Sequence, residues 1–151
     1  AGDLPIGIYA SPGYLERCGS IQHPRELENS HHRIVGFRGA REGKVLSYDF
    51  RREQEHLSVQ GQYILSVDDG NAYLAAGLAG FGMLWLPHYM VAAHLAAGEL
   101  VPLLEEWQIT PMPLYIAFPA NRNINARLRV FVDWVAESIA LHLPVNVNGR
   151  Q

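Results

Sequence analysis

Positions 68–71, Asp68-Asp69-Gly70-Asn71, combine two carboxylates, a glycine and an amide directly after an apolar run. This pattern ends a strand and starts a helix, because a carboxylate can accept hydrogen bonds from the first free backbone N–H groups of a helix. The same N–H groups suit an anion. If the bound molecule is anionic, the backbone of Gly70 and Asn71 meets it and the acids turn away. If it is cationic or polyhydroxylated, Asp68 or Asp69 binds it directly. Helix capping alone is the structural alternative.

A second candidate is Ser11, which precedes Pro12 after a short apolar stretch. Ser-Pro is typical of helix starts, since serine caps the N-terminus and a proline at the first helical position loses no hydrogen bond. The functional interpretation gives the Ser11 hydroxyl a place facing a ligand cleft. The structural interpretation makes it a helix cap and nothing more.

The other reactive side chains form no pattern with a known chemistry. His23, His31 and His32 lack metal-ligand spacing, and neighbouring side chains on a strand point to opposite faces. Cys18 is the only cysteine, which excludes an internal disulfide and is compatible with a reducing cytoplasm. No GxSxG, P-loop or HExxH motif occurs. We therefore predict no enzyme activity, no metal site and no cofactor.

Charge and hydropathy exclude two further classes. The 151 residues include 12 basic and 15 acidic side chains, which give a net charge of −3. This charge argues against binding of a nucleic-acid backbone by this chain alone, because such binding uses a clustered positive surface. The composition, 48% hydrophobic and 18% charged, is ordinary for a globular protein. No apolar stretch approaches the ~20 residues of a membrane span, and no signal peptide is visible. We predict a cytoplasmic protein without membrane contact.

The candidate residues 68–71 belong to a predicted βαβ unit over residues 64–87, in which strand, helix, glycine turn and strand follow one another. The helix N-terminus opens at an edge of the sheet, where open α/β sheets hold ligands. Gly80 is predicted to end the helix with positive φ. The small side chains of Ala75, Ala76 and Ala79 are predicted to bring the helix close to the sheet.

The remaining segments extend this architecture. The predicted order is β-α-α-β-β-β-β-α-β-α-β-β-α, an α/β sheet with helices on both faces. The clearest helix covers residues 123–141 and carries one apolar stripe, formed by Leu128, Phe131, Val132, Val135 and Ile139. The tail, residues 142–151, has no periodicity and is predicted to be flexible.

Taken in order along the chain, four motifs resemble those of LysR-type transcriptional regulators. They are Ala79-Gly80-x-Gly82, Leu86-Pro87, Ala97-Gly98-x-Leu100 and Arg127-x-Arg129-x-Phe131. The resemblance covers roughly residues 4–141. It implies an effector-binding domain with a periplasmic-binding-protein-like type II fold, mainly its second subdomain plus hinge strands and final helix. Residues 1–10 would be a hinge strand and remnant of the first subdomain, 11–112 the second subdomain, 113–141 the return hinge strand and C-terminal helix, and 142–151 the tail.

The resemblance also implies a function. The chain would sense a small-molecule effector between two subdomains, and DNA would be bound only through an N-terminal winged helix-turn-helix that is missing here. A homodimer is expected. The effector-binding residues would be Ser11 at the hinge, then Asp68, Asp69, Gly70 and Asn71, and finally Phe118 at the end of the hinge strand 114–118. The alternative is a solute-binding protein fragment of a transport system, which a signal peptide in the intact gene would reveal.

Overall fold

The computed structural model describes residues 2–29, 31–38, 47–115, 117 and 126–142. The chain forms two compact units, Ile6–Thr110 and a second made of residues 1–5 and 111–151. In chain order the elements are β1 (Gly2–Leu4), β2 (Ile6–Ala10), α1 (Pro12–Cys18), a 3-10 helix (Pro24–Glu28), β3 (Ile34–Phe37), β4 (Ser47–Arg52), β5 (Glu55–Gln60), β6 (Tyr63–Val67), α2 (Gly70–Leu78), β7 (Leu84–Pro87), α3 (His88–Ala96), β8 (Val101–Leu103), β9 (Gln108–Ile109), β10 (Met112–Leu114) and α4 (Ala126–His142).

The larger unit is organised around strands in the order β6-β3-β7-β2-β8. β3 and β6 pair in parallel, and a parallel bridge between Ile34 and Met83 places β3 beside the start of β7. β2 runs antiparallel to both of its neighbours. The predicted βαβ unit is confirmed, because β6 and β7 run in the same direction, with β3 between them and α2 as their connection.

The strand β8 forms one edge of this sheet. Pro102 stands in its middle, opposite Tyr9 on β2. Proline has no N–H to donate to a ladder, so within sheets it is confined mainly to edge strands. A proline inside the apolar segment 100–104 predicts an edge or a bend from the sequence alone, and the position of β8 confirms it.

Two apolar cores lie on opposite faces of the sheet. The alternation is visible along β2, where Ile8 and Ala10 belong to one core and Tyr9 to the other. One core lies under α1, the 3-10 helix and the hairpin, and the other lies under α2 and α3. Their members outside β2 include Tyr14, Leu27, Phe50, Met83 and Trp107 in the first and Tyr73, Leu84, Leu86, Val91 and Leu100 in the second.

The helix α2 lies directly against the sheet at Gly77. A Cβ atom there would clash with the side chain of Leu84. The prediction that the alanines make this contact is wrong for Ala75 and Ala79, which are exposed, while Ala76 is half-buried. The predicted end of the helix is confirmed, since Gly80 has a φ of 80°.

A hairpin of β4 and β5, with β9 on the other side of β4, forms a second small sheet in the larger unit. Side chains alternate along β4, with Tyr48 and Phe50 directed inward and Ser47 and Asp49 exposed. In the sequence, residues 45–50 alternate apolar and polar side chains, which predicts a half-exposed strand, and the described residues 47–50 confirm it.

In the smaller unit, β1 pairs antiparallel with β10. Its helix α4 spans 17 residues and is apolar on more than one side. The most exposed side chains are Val130 (68%), Phe131 (58%), Trp134 (61%) and Leu141 (83%), whereas Leu128, Val132, Val135 and Ile139 are half-buried. An apolar helix with this exposure has surface to cover.

Element boundaries differ from the predicted ones at the two hinge segments. The sequence predicts one strand over residues 4–10, but Pro5 divides it into β1 and β2, because proline lacks the N–H and fixes φ. β2 pairs with β7 and β8, so it belongs to the larger unit. The second hinge strand is β10, which ends at Leu114: Tyr115 and residue 117 are described outside any strand, and residues 116 and 118–125 lie outside the described residues.

Candidate functional site

Three strand ends meet at one edge of the large sheet. Because β3, β6 and β7 run in the same direction, their carboxyl ends lie at the same edge. Arg38 follows β3, Asp68 and Asp69 follow β6, and His88 follows β7. We call this set of strand ends the carboxyl edge.

The strand order reverses between β3 and β7. From β3 the chain proceeds to β6 on one side, and from β6 it crosses over to β7 on the other side. Open α/β sheets bind ligands outside the carboxyl ends of their strands at such a reversal. The carboxyl edge therefore has the topology of a ligand site.

The start of α2 contributes polar groups to this edge. Asp69 is the N-cap, and its carboxylate accepts a hydrogen bond from the N–H of Ala72 at 2.8 Å. Asp68 and Asn71 are exposed, and within the described residues neither side chain has a hydrogen bond or an ion pair. The groups open to a ligand are thus the Asp68 carboxylate, the Asn71 amide and the N–H groups of Gly70 and Asn71.

Ser11 lies at the other end of the strands, on the side of the sheet opposite to the carboxyl edge. Since β2 runs antiparallel to β7, the end of β2 is beside the start of β7 rather than beside the ends of the parallel strands. Ser11 is buried, and its hydroxyl oxygen accepts a hydrogen bond from the N–H of Tyr14 at 3.2 Å, as a cap of α1. The structure therefore does not bring Ser11 together with residues 68–71.

A cavity of about 420 Å³ adjoins Ser11 at this opposite edge. Polar groups that line the cavity form hydrogen bonds with one another. Arg17 donates a hydrogen bond to the carbonyl oxygen of Gly80, and His94 is hydrogen-bonded to Glu99. The Arg17 guanidinium there stabilises the carbonyl end of α2. These contacts give the cavity a structural role.

Near the carboxyl edge, β3 and β7 separate after their single bridge. The N–H of Val35 donates to the carbonyl of Met83 (3.0 Å), and the N–H of Met83 donates to the carbonyl of Arg33 (2.9 Å). No further backbone hydrogen bond joins the two strands in the part of the chain that the structure describes. We call the resulting gap the β3/β7 split.

Tyr73 of α2 reaches into this split. Its side chain is 3% exposed, and its hydroxyl oxygen accepts a hydrogen bond from the backbone N–H of Trp85 at 2.9 Å. Phe37, the last residue of β3, contacts the Tyr73 ring edge-to-face, with centroids 5.5 Å apart. Tyr73 thus replaces the ladder bond that β3 does not supply.

Further aromatic side chains surround the split. Tyr48 stacks on Trp85 with ring centroids 4.2 Å apart, and the Tyr63 hydroxyl donates to the Tyr48 hydroxyl at 3.4 Å. Burial raises the pKa of Tyr73 to about 12, with a smaller rise from Tyr63, although the bond from Trp85 lowers it. Burial also raises the pKa of Tyr48, with added contributions from Tyr63 and Tyr73. These phenols therefore stay neutral at physiological pH.

Sequence reasoning missed this cluster. Tyrosine at an apolar position of a strand or helix normally predicts only core packing. The one available signal is the choice of tyrosine over phenylalanine, because a buried hydroxyl needs a hydrogen-bond partner. Of the predicted site residues, Phe118 lies outside the described residues.

Two further properties concern the described residues alone. No cluster of three or more potential metal ligands forms among them. Within the same ranges, no helix has both the length and the apolar character needed to cross a membrane.

Comparison with known proteins identifies the family. The sequence model described as "LysR substrate binding domain" matches residues 1–140. The chain belongs to this LysR family. An HTH-type transcriptional repressor of Pseudomonas aeruginosa is 31% identical to the LysR domain described here over 138 residues, which cover 91% of the chain and 43% of that protein.

Solved LysR structures agree with the fold. CrgA, a LysR-type transcriptional regulator from Neisseria meningitidis, superimposes with a TM-score of 0.65 at 26% identity, covering 91% of this chain and 45% of that one. The regulatory domain of AphB from Vibrio vulnificus gives a TM-score of 0.67 at 20% identity, covering 91% and 66%, respectively. The LysR domain thus has the α/β, periplasmic-binding-protein-like type II fold of these regulatory domains.

The chain spans less than half the length of the curated relatives, with 43% of the repressor and 46% of CrgA covered. These relatives are transcription regulators, which is a non-enzyme role. They favour a regulator over the alternative of a transport protein fragment. For this chain, the identification is that of a LysR-type effector-binding domain.

Proposed function

We propose that this chain is the effector-sensing part of a cytoplasmic, DNA-binding LysR-type regulator. A small metabolite binds at the carboxyl edge, between this subdomain and the first subdomain of the full-length protein. The effector changes the angle between the subdomains, a hinge-type transition that repositions DNA-binding modules outside this chain. The paired strands β1 and β10 are the two hinge strands in this proposal.

One observation carries the proposal: the ends of β3, β6 and β7 share an edge with the start of α2. That edge holds the reversal of strand order and unpaired polar groups. Ser11 does not belong to the proposed site, since it lies at the other edge and its hydroxyl caps α1. Phe118 lies outside the described residues and stays a proposed effector-binding residue.

The carboxylates among residues 68–71 would distinguish an anionic effector from a cationic or polyhydroxylated one. An anionic effector would bind the N–H groups of Gly70 and Asn71 and would be repelled by the Asp68 carboxylate. A cationic or polyhydroxylated effector would bind that carboxylate directly. The variant Asp68→Asn therefore strengthens binding of an anion and weakens binding of a cation. Asp49→Asn is the matched control, because Asp49 is an exposed acid on β4.

The test is a thermal-shift screen of small metabolites on the full-length regulator, followed by hydrogen exchange with each stabilising metabolite. We expect added protection at residues 35–38 and 67–73 and none at residues 11–18. Protection confined to the Ser11 edge, or no stabilising metabolite in a broad screen, would contradict the proposal.

DNA binding is tested separately. The full-length protein should bind its operator, with an affinity that responds to the effector, while residues 1–151 alone should not. Nanomolar operator binding by the 151-residue chain at physiological salt would contradict the assignment of DNA recognition to another part of the protein.

A further inference from the structure

A second cavity, of about 270 Å³, lies at the end of the sheet where β2 begins and β8 ends. Ile6 on β2 pairs with Pro87, the last residue of β7, and β8 runs antiparallel to β2. The cavity therefore adjoins the carboxyl edge, on the side away from β6. Every residue that lines it belongs to the larger unit, Ile6–Thr110. We call it the β2/β8 cavity.

Apolar side chains form part of the cavity wall. They are those of Ile8, which is buried, and of Ile6, Leu103 and Ile109, which are half-buried. Trp107 also lines the cavity, but its indole nitrogen exposes less than 1 Å². The Trp107 side chain therefore offers a ligand no accessible N–H. This part of the wall suits an apolar group.

Glu105 adds a carboxylate to the wall. Its side chain is exposed, and within the described residues it has no hydrogen bond and no ion pair. Burial raises the pKa of Tyr9, and the charge of the Glu105 carboxylate raises it further. The carboxylate therefore lies within electrostatic range of the Tyr9 phenol, which lines the same cavity. A ligand at this point meets a negative charge and a phenol oxygen.

Local backbone geometry holds these two polar groups. Leu104 has a φ of 52°, which is uncommon for any residue other than glycine, and its carbonyl accepts a hydrogen bond from the Trp107 N–H at 2.9 Å. This turn carries Glu105. Tyr9 folds back over Gly7, where a Cβ atom would clash with the Tyr9 hydroxyl. Backbone strain of the Leu104 kind occurs often at ligand sites.

The charges around the cavity favour a cation over an anion. The Arg52 guanidinium lies over the Trp107 ring, 4.5 Å from its centroid. It forms ion pairs with Glu55 at 3.3 Å and with Glu106 at 3.6 Å, so its charge is already matched. Together with Glu105, this region has three carboxylates and one guanidinium.

Two imidazoles complete the set of charged and titratable groups at the cavity and around Trp107. His88 lines the cavity and is exposed. His23 contacts the Trp107 ring edge-to-face, with centroids 5.2 Å apart, and lies 4.0 Å from Glu55. Imidazole is mostly uncharged at pH 7.5, whereas an alkylamine is mostly protonated. At that pH the carboxylate is the main charge that a ligand meets in the cavity.

We propose that the β2/β8 cavity binds a small amine with an apolar side group. The ammonium group pairs with the Glu105 carboxylate and donates to the Tyr9 phenol oxygen. The apolar group lies against Ile6, Ile8 and Leu103. The volume is just below the about 300 Å³ of the smallest drug-sized sites, so the amine is of fragment size.

This site goes beyond the proposed function, because it is separate from residues 68–71. Those residues follow β6, and three to four strand spacings divide β6 from β2 and β8. With strands 4.7–4.9 Å apart, the separation is about 14 to 19 Å. One small molecule does not reach both sites.

Three probes with the same ring test the proposal: benzylamine, benzyl alcohol and benzoate. They carry a positive charge, no charge and a negative charge. The readout is the set of backbone amide resonances of the 15N-labelled 151-residue chain at pH 7.5. Residues 6–9 and 103–109 report on the β2/β8 cavity, and residues 69–73 report on the start of α2.

We expect benzylamine to shift the resonances of residues 6–9 and 103–109 saturably. Benzyl alcohol should bind about fivefold more weakly, and benzoate more weakly still. Glu105→Gln should weaken benzylamine binding by about fivefold, the upper end for an ion pair at an exposed carboxylate, and leave benzyl alcohol unchanged. Added salt should weaken benzylamine binding alone. Glu16→Gln is the matched control, since Glu16 is an exposed acid on α1 outside the cavity wall.

Three results would overturn the proposal. They are equal binding of benzylamine and benzyl alcohol, equal effects of Glu105→Gln and Glu16→Gln, and benzylamine shifts that are absent from residues 6–9 and 103–109. The proposed function is tested separately, by protection of residues 35–38 and 67–73 in the full-length protein. Either proposal can therefore fail alone.

Discussion

Two glycines with positive φ, Gly80 and Gly98, allow the energetic cost of a strained backbone to be distinguished from the cost of steric crowding. Gly80 and Gly98 have φ values of 80° and 70°, so alanine at either position adopts a left-handed conformation that costs about 1 kcal/mol. At Gly98 a Cβ atom would meet nothing within 4 Å. At Gly80 it would stand 3.0 Å from the Arg17 guanidinium and 3.3 Å from the Ser11 hydroxyl oxygen.

Alanine at position 80 therefore displaces Arg17 as well as straining the backbone. Arg17 then loses its hydrogen bond to the Gly80 carbonyl, worth about 1 kcal/mol at a partly exposed site. We expect Gly80→Ala to lower the free energy of unfolding by about 2 kcal/mol and Gly98→Ala by about 1 kcal/mol.

Urea unfolding of both variants, followed by tryptophan fluorescence, measures this difference. A Trp134→Phe background restricts the signal to Trp85 and Trp107, which belong to the larger unit. Equal losses for Gly80→Ala and Gly98→Ala would refute the crowding by Arg17. A neutral Gly80→Ala would refute the strained backbone at that position.

Three further outcomes are expected. Asp69→Ala should destabilise the chain by about 1 kcal/mol through loss of the α2 cap, whereas Asp68→Ala should be near neutral; urea titrations of both variants compare them. Burial lowers the pKa of His32 below its ordinary value of 6.5, so on acidification the unfolded chain binds a proton at a higher pH than the folded chain does. The free energy of unfolding should therefore fall as pH drops below about 6.5. His32→Gln should reduce this dependence of the free energy of unfolding on pH, and an unchanged dependence would contradict the prediction. Phe131→Ser and Trp134→Ser, which remove exposed apolar rings of α4, should turn a self-associating chain into a monomer in light scattering at low micromolar concentration, while a monomeric parent chain would contradict the role of this helix.

Local patterns predicted the elements and their caps. Ser11 and Asp69 cap helices because a short polar side chain stands just before each helical run, and Gly80 ends α2 because only glycine adopts its φ at low cost. The order of strands and helices followed from the same periodicities, except for the division into β1 and β2 at Pro5 and the two-residue strand β9, which has too few residues to show a period. Such features depend on residues close in sequence, which is why they can be read without coordinates.

Strand direction and tertiary contact could not be read in this way. The apolar run before Ser11 looks the same whether its strand runs with or against its neighbours, so the sequence could not place Ser11 at the edge away from residues 68–71. The meeting of Tyr48, Tyr73 and Trp85 requires β4, α2 and β7 to be packed together first. The candidate site was therefore predicted in its local part, the start of α2, and missed in its non-local part.

Pro102 limits how copies of this domain can associate. A free edge strand normally presents a row of unpaired N–H and C=O groups, which a second chain can use as a template for domain swapping or fibril growth. With proline at the centre of the three-residue strand β8, that row has no central donor. Backbone templating from this side is blocked. Association on that side therefore depends on side chains and on the shape that they form.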